Sequence, residues 1–176
     1  MFGEVPVLPV VVPLATAVLA GLLVRLRRRR HLTAPRAAVA VVVCVYVAGV
    51  VANTVFPIYL DAPRQDATWT VYLVPLTDYE VVDALTNVLV FLPVGALLPL
   101  LMAAASWRRV LAVAVLFSLG IEMTQLVTGN LLGGGHVADV NDLLFNVVGA
   151  ALGLALFTAL TRVPVATRVL DRFRWR

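Results

Sequence analysis

Eight polar side chains stand out from an apolar background and are the ones able to do chemistry. Asp83, Glu122, Asp139 and Asp142 supply carboxylates, Asn87, Gln125 and Asn146 supply amides, and His136 supplies an imidazole. Carboxylates can move protons, hold cations or accept from fixed donors, and amides can orient hydrogen bonds. An imidazole can shuttle a proton or contact an anion. Asp83 and Asn87 are four apart, and Glu122 and Gln125 three apart, so each pair shares a helix face. Asp139, Asp142 and Asn146 recur at intervals of three and four, leading into an apolar helix.

Glu122 is the sharpest of these. An ionised acid at the bilayer centre costs about 2.5–3.5 kcal/mol on insertion scales. Glu122 lies nearer the interface, but it should still face protein. Two roles are open: a ligand-facing carboxylate, or a clasp that fixes helix packing. Its expected partners are Asn87, Gln125 or His136, unless it is held protonated. Asp139 and Asp142, at a helix start, suit capping and dipole matching, Asp139 above all. The acids and His136 match no metal-site spacing, so neither a metal nor a cofactor is expected. No G-x-S-x-G, HExxH or phosphate-binding loop occurs. Ser106 and Ser118 are the only serines and are expected away from the polar cluster.

The elements that must position these residues are membrane helices. The chain is 61% hydrophobic with a mean hydropathy of +0.96, whereas soluble domains are closer to half apolar. Apolar runs predict five spans, roughly 5–26, 37–57, 83–105, 110–127 and 142–161. Residues 1–176 should therefore form a single all-α integral membrane domain, a five-helix transmembrane bundle. The amino-terminal run has no basic region before it and reads as an uncleaved first helix. Residues 69–75 could be a short strand or a surface segment. Pro93 should kink the third helix. Asn53, near the end of the second, should need a partner on a neighbouring helix. Gly149 and Gly153 have the spacing of close helix packing. Cys44, the single cysteine, reads as a small apolar residue.

All 14 basic residues are arginine. Every one except Arg64 flanks the same side of the predicted bundle, which is a topology signal and not a nucleic-acid face. The positive-inside rule then places the C-terminus in the cytoplasm and the N-terminus outside. Residues 163–176 form a basic cytoplasmic tail, expected to lie on the membrane as an amphipathic helix with Val165, Val169 and Phe173 on one stripe. Under this topology the eight polar side chains converge at one depth, as an outward-facing pocket in the outer leaflet.

At these residues the sequence resembles the VanZ-like family. The matching positions are Asp83, Asn87, Phe91, Pro93 and Gly95; then Glu122 and Gln125; then His136, Asp139, Asp142, Asn146, Gly149 and Gly153, within residues 40–162. The family usually carries Arg where His136 sits, so a constant cation becomes a titratable one. The resemblance implies a multi-pass protein of the bacterial plasma membrane, in a family named for low-level resistance to the lipid-tailed glycopeptide teicoplanin. Its expected partners are the lipid bilayer and an amphiphile, either a lipid-tailed glycopeptide or a cell-wall lipid intermediate. Glu122, Asp139 and Asp142 would form the negative face of the site. Asn87, Gln125 and Asn146 would orient hydrogen bonds, and His136 would act as gate or partner. Two other readings stand beside this one. The first is an intramembrane enzyme whose carboxylates, with His136, do acid–base work on a lipid-linked cell-wall substrate. The second is a structural protein with polar packing clasps.

Overall fold

Among the described residues, five helices are long and apolar enough to cross a membrane: α1 (Val7–Arg28), α2 (Ala34–Val55), α3 (Val81–Leu101), α4 (Trp107–Leu131) and α5 (Val140–Leu160). At 1.5 Å per residue the shortest, of 21 residues, reaches about 30 Å, the thickness of a hydrocarbon core. A sixth helix, α6 (Pro164–Phe173), follows. The computed structural model describes residues 3–59, 69, 71–77, 79–131 and 138–175.

Contacts at the helix ends define the two ends of the bundle. At one end Glu4 bridges Tyr59, the Trp69 amide donates to Asn130 at 2.8 Å, and the start of α5 meets the segment before α3. The strand β1 (Val71–Tyr72) runs parallel to β2 (Ala138–Asp139), with Val71 opposite Ala138. This resolves the 69–75 segment as containing a two-residue strand. The opposite, basic end carries Arg25–Arg30, Arg36, Arg108, Arg109 and the tail. There α1 stops at a turn in which Arg30 takes a φ of 57° and the His31 amide donates to the Leu26 carbonyl at 2.9 Å, satisfying one of the orphaned helix-end carbonyls.

The centre of the bundle is the α3–α5 contact, and glycine makes it possible. A Cβ on Gly95 would overlap the Ala150 carbonyl; one on Gly149 would overlap Val88, and one on Gly153 would overlap Leu92. Backbones this close gain dispersion contacts, the main attraction available where lipid is as apolar as the side chains. Phe91, Val94, Ala114 and Ala150 form the adjoining core. α1 packs chiefly on α2 and leaves Leu8 and Leu14 exposed, as a lipid-facing helix would.

Four expectations change. The third helix ends at Leu101, short of Ala105. The fifth begins at Val140, with Asp139 as its N-cap accepting from the Asn141 amide at 2.8 Å. Asn53 donates to the Gly49 carbonyl of its own helix at 2.8 Å, not to a neighbour. The tail is not simply a surface-lying helix. Val165 and Val169 are exposed, but Leu170, Phe173 and Trp175 pack on Val39, Leu100 and Phe157. The Trp175 amide donates to the Leu100 carbonyl at 2.8 Å and its indole to the Arg36 carbonyl at 3.2 Å. Arg36 Nε donates to the Arg174 carbonyl at 2.8 Å. These bonds tie the tail to the start of α2 and the end of α3, where the Leu100 carbonyl belongs to the last turn and has no intrahelical partner.

Candidate functional site

The polar residues divide into two groups at the end opposite the arginines. One group lines a groove between α2 and α3; the other is buried between α4 and α5.

The groove has a volume of about 700 Å³ and is lined by Asn53, Asp83, Asn87, Gln125 and Asp142, with Val45, Val50 and Val90 as its apolar wall. Asp83 and Asn87 reach it from the first two turns of α3, where their four-residue spacing stacks them on one face. Asn87 Nδ2 donates to Asp142 Oδ1 at 2.5 Å, joining α3 to α5 at the groove floor. Gln125 enters from α4. Its Oε1 is buried and has no hydrogen-bond partner among the described residues, which leaves an acceptor beside the groove. Tyr46 spans the gap from α2, donating to the Val90 carbonyl at 2.6 Å. The described lining carries two carboxylates and no cation. Its polar face therefore suits a head group bearing amines or hydroxyls, and its valine wall suits an attached chain.

The second group has a different character. Glu122 is 6% exposed, and its Oε2 accepts from the Asp139 backbone amide at 3.0 Å. The sequence pointed to Asn87, Gln125 or His136 as its partner, unless the acid is held protonated; among the described residues the partner observed is a main-chain N–H on the approach to α5, in place of Asn87 or Gln125. The cause is simple. β2 packs against α4, and the Glu122 carboxylate there meets an amide that the start of α5 leaves unpaired. Asn146, in the second turn of α5, is also buried, and its Nδ2 donates to Ser118 Oγ at 2.9 Å. Its Oδ1 has no partner among the described residues. Asp139 spends its side chain on capping.

Glu122, Asp139 and Asn146 are therefore absent from the groove lining, whereas Asp83, Asn87, Gln125 and Asp142 belong to it. His136 lies outside the described residues. Among the described residues no group of three His, Cys, Asp or Glu side chains is placed to hold a metal ion.

Three residues matter more than their types suggested. Ser118 was expected away from the polar cluster, yet it is fully buried as the partner of Asn146. Its spacing of four from Glu122 was the available signal. Asn141 is 2% exposed. Its Oδ1 accepts from the Leu76 amide at 2.6 Å and its Nδ2 donates to the Thr77 carbonyl at 3.2 Å. It thereby staples the segment before α3 to α5, and only its place beside Asp142 hinted at a role. Tyr46 sat unmarked in an apolar run.

A family model described as VanZ/LLP1 matches residues 39–161, close to the 40–162 expected from the resemblance. No curated protein and no solved structure matches the chain.

Proposed function

Because this chain belongs to the VanZ/LLP1 family, as a multi-pass membrane protein with five helices fit to cross a bilayer, we propose that it binds an amphiphilic envelope ligand in the α2–α3 groove. The arginine distribution supports a bacterial plasma-membrane orientation with the basic end cytoplasmic, which sets the groove at the outer leaflet. A head group bearing amines or hydroxyls sits against Asp83, Asn87, Gln125 and Asp142. Its lipid tail follows the valine wall toward the membrane centre. Lipid-tailed glycopeptides such as teicoplanin and lipid-linked cell-wall intermediates have this form.

The observation that carries the reading is the side-by-side polar and apolar lining of one groove, with the unpartnered Gln125 carbonyl beside it. The experiment is thermal unfolding of the purified full chain with and without teicoplanin, and separately with a lipid-linked cell-wall precursor. A ligand that binds the folded state raises the midpoint. The rise should vanish in Asp83→Asn and in Val50→Trp, which fills the groove, and persist in Glu122→Gln. No rise with either ligand, or a rise unchanged by Val50→Trp, overturns the proposal.

A second reading applies to the α4–α5 group. The buried bonds of Glu122 to Asp139 and of Ser118 to Asn146 favour packing clasps over proton transfer for these residues. The acids of this family motif then divide between binding and structure.

A further inference from the structure

The basic end of the bundle contains a second cavity, remote from the groove. It has a volume of about 620 Å³, and Arg109, Arg174, Ser106, Thr161, Phe157 and Leu154 are among its lining residues. Its charge is concentrated. Arg109 stands in the first turn of α4, where the N-terminal end of the helix adds positive potential. Among the described residues its guanidinium donates to the Ala104 carbonyl at 3.3 Å, a neutral acceptor that leaves its charge uncompensated. Arg174 is held over the Phe157 ring, 5.5 Å from its centroid. Its Nη1 meets Asp171 at 3.5 Å, while its buried Nε–H has no acceptor among the described residues. The Ser106 oxygen accepts from the Arg109 amide at 3.4 Å, so the hydroxyl proton remains available to donate.

A second depression of about 540 Å³ shares Ala105, Leu154 and Thr158 with this cavity and continues between α4 and α5. Its walls include Trp107, Leu111, Ala151 and Ala155, and Arg162 also lines it. Ala151 and Ala155 are four apart on one face of α5, and their small side chains leave a trough. From Thr158 to Ala151 it runs about 10 Å toward the membrane centre at 1.5 Å per residue. Trp107 is 63% exposed at its mouth, where an indole suits the membrane–water boundary.

We propose that this end of the protein is a binding site for an anionic phospholipid. The phosphate diester sits between Arg109 and Arg174 with Ser106 donating, and one acyl chain lies in the trough along Leu111, Ala151 and Ala155. Two guanidiniums suit phosphate because they present paired N–H donors. An apolar trough opening from the same cavity distinguishes a lipid from a soluble phosphate. The site joins α4, α5 and the tail, so its lipid would bridge the tail to the bundle.

Thermal unfolding of the full chain in neutral detergent tests this with phosphatidylglycerol, phosphatidylcholine and inorganic phosphate as separate additives. Phosphatidylglycerol should raise the midpoint in a concentration-dependent way, and the other two should not. The rise should shrink in Arg109→Gln, in Arg174→Gln and in Ala155→Trp, and survive in Arg28→Gln at the end of α1. Arg109 and Ala155 do not tie the tail, so their variants keep the test open if Arg174→Gln fails to fold. An equal rise with phosphatidylcholine would overturn the proposal, as would a phosphatidylglycerol rise unchanged in Arg109→Gln and Ala155→Trp. A full rise with inorganic phosphate alone would overturn the lipid assignment.

Discussion

The carboxylate of Glu122 accepts a hydrogen bond from the backbone amide of Asp139, 3.0 Å away and seventeen residues later in the chain. The bond ties α4 to the start of α5. It also takes the acid that looked most catalytic in the sequence and gives it a main-chain partner. Its consequences differ between two substitutions. Glu122→Gln retains a side-chain carbonyl that can accept the same bond, so stability in detergent should stay near wild type. Glu122→Ala leaves a buried donor unmatched and should cost about 1–3 kcal/mol. Equal stability losses in the two variants, measured by chemical unfolding, would remove the clasp assignment.

The bond from Asn87 to Asp142 joins α3 to α5 at the groove floor. Asn87→Asp places two carboxylates face to face and should destabilise the pair. Asn87→Asp combined with Asp142→Asn restores one amide and one acid in exchanged positions. A double-mutant cycle should recover roughly 0.5–3 kcal/mol of coupling. Additive losses would mean that the two side chains do not act together.

The α3–α5 contact admits no extra methyl group at three points. Gly95→Ala, Gly149→Ala and Gly153→Ala would each drive a Cβ into the backbone of the opposite helix. Each should lower stability by about 1–3 kcal/mol through overpacking. At Gly49 and Gly120 a Cβ meets nothing within 4 Å. There alanine should be neutral or stabilising by up to about 1 kcal/mol through helix propensity. Unfolding midpoints of the five variants would separate the two sets, and overlap between them would contradict the close approach.

Trp175 anchors the tail by its amide and its indole. Trp175→Ala keeps the first bond and loses the second together with packing on Leu100. Limited proteolysis should then cut among the tail arginines faster than in wild type, with α3–α5 still intact. An unchanged cleavage rate would mean that lipid, not protein, holds the tail.

Orientation can be read with a single engineered cysteine, because Cys44 is the only native one and is buried. In a Cys44→Ala background, Val74→Cys at the acidic end should react with a membrane-impermeant maleimide on intact cells. Val165→Cys in α6 should react only after lysis. Both positions are exposed, so the reverse pattern would invert the proposed topology.

The five spans, the charge asymmetry and the polar stretches were legible in the chain itself. Each depends on local quantities: about 20 apolar residues for a span, arginines beside it, and spacings of three or four for a shared helix face. The packing role of Gly149 and Gly153 was legible for the same reason. The strength of that contact was not, because it depends on Gly95 from another helix.

Tertiary structure alone decided which polar residues share a site. Glu122 and Gln125 are three apart on α4, yet one is buried against the start of α5 and the other borders the groove. The angle between them, about 60°, follows from the helix repeat. What lies on either side of that angle follows from how α3 and α5 close around α4. The same is true of Asn141 and Ser118, whose importance comes from partners 64 and 28 residues away. A buried polar group is satisfied by whatever donor or acceptor the packing brings within about 3 Å, and no local spacing along the chain specifies that neighbour.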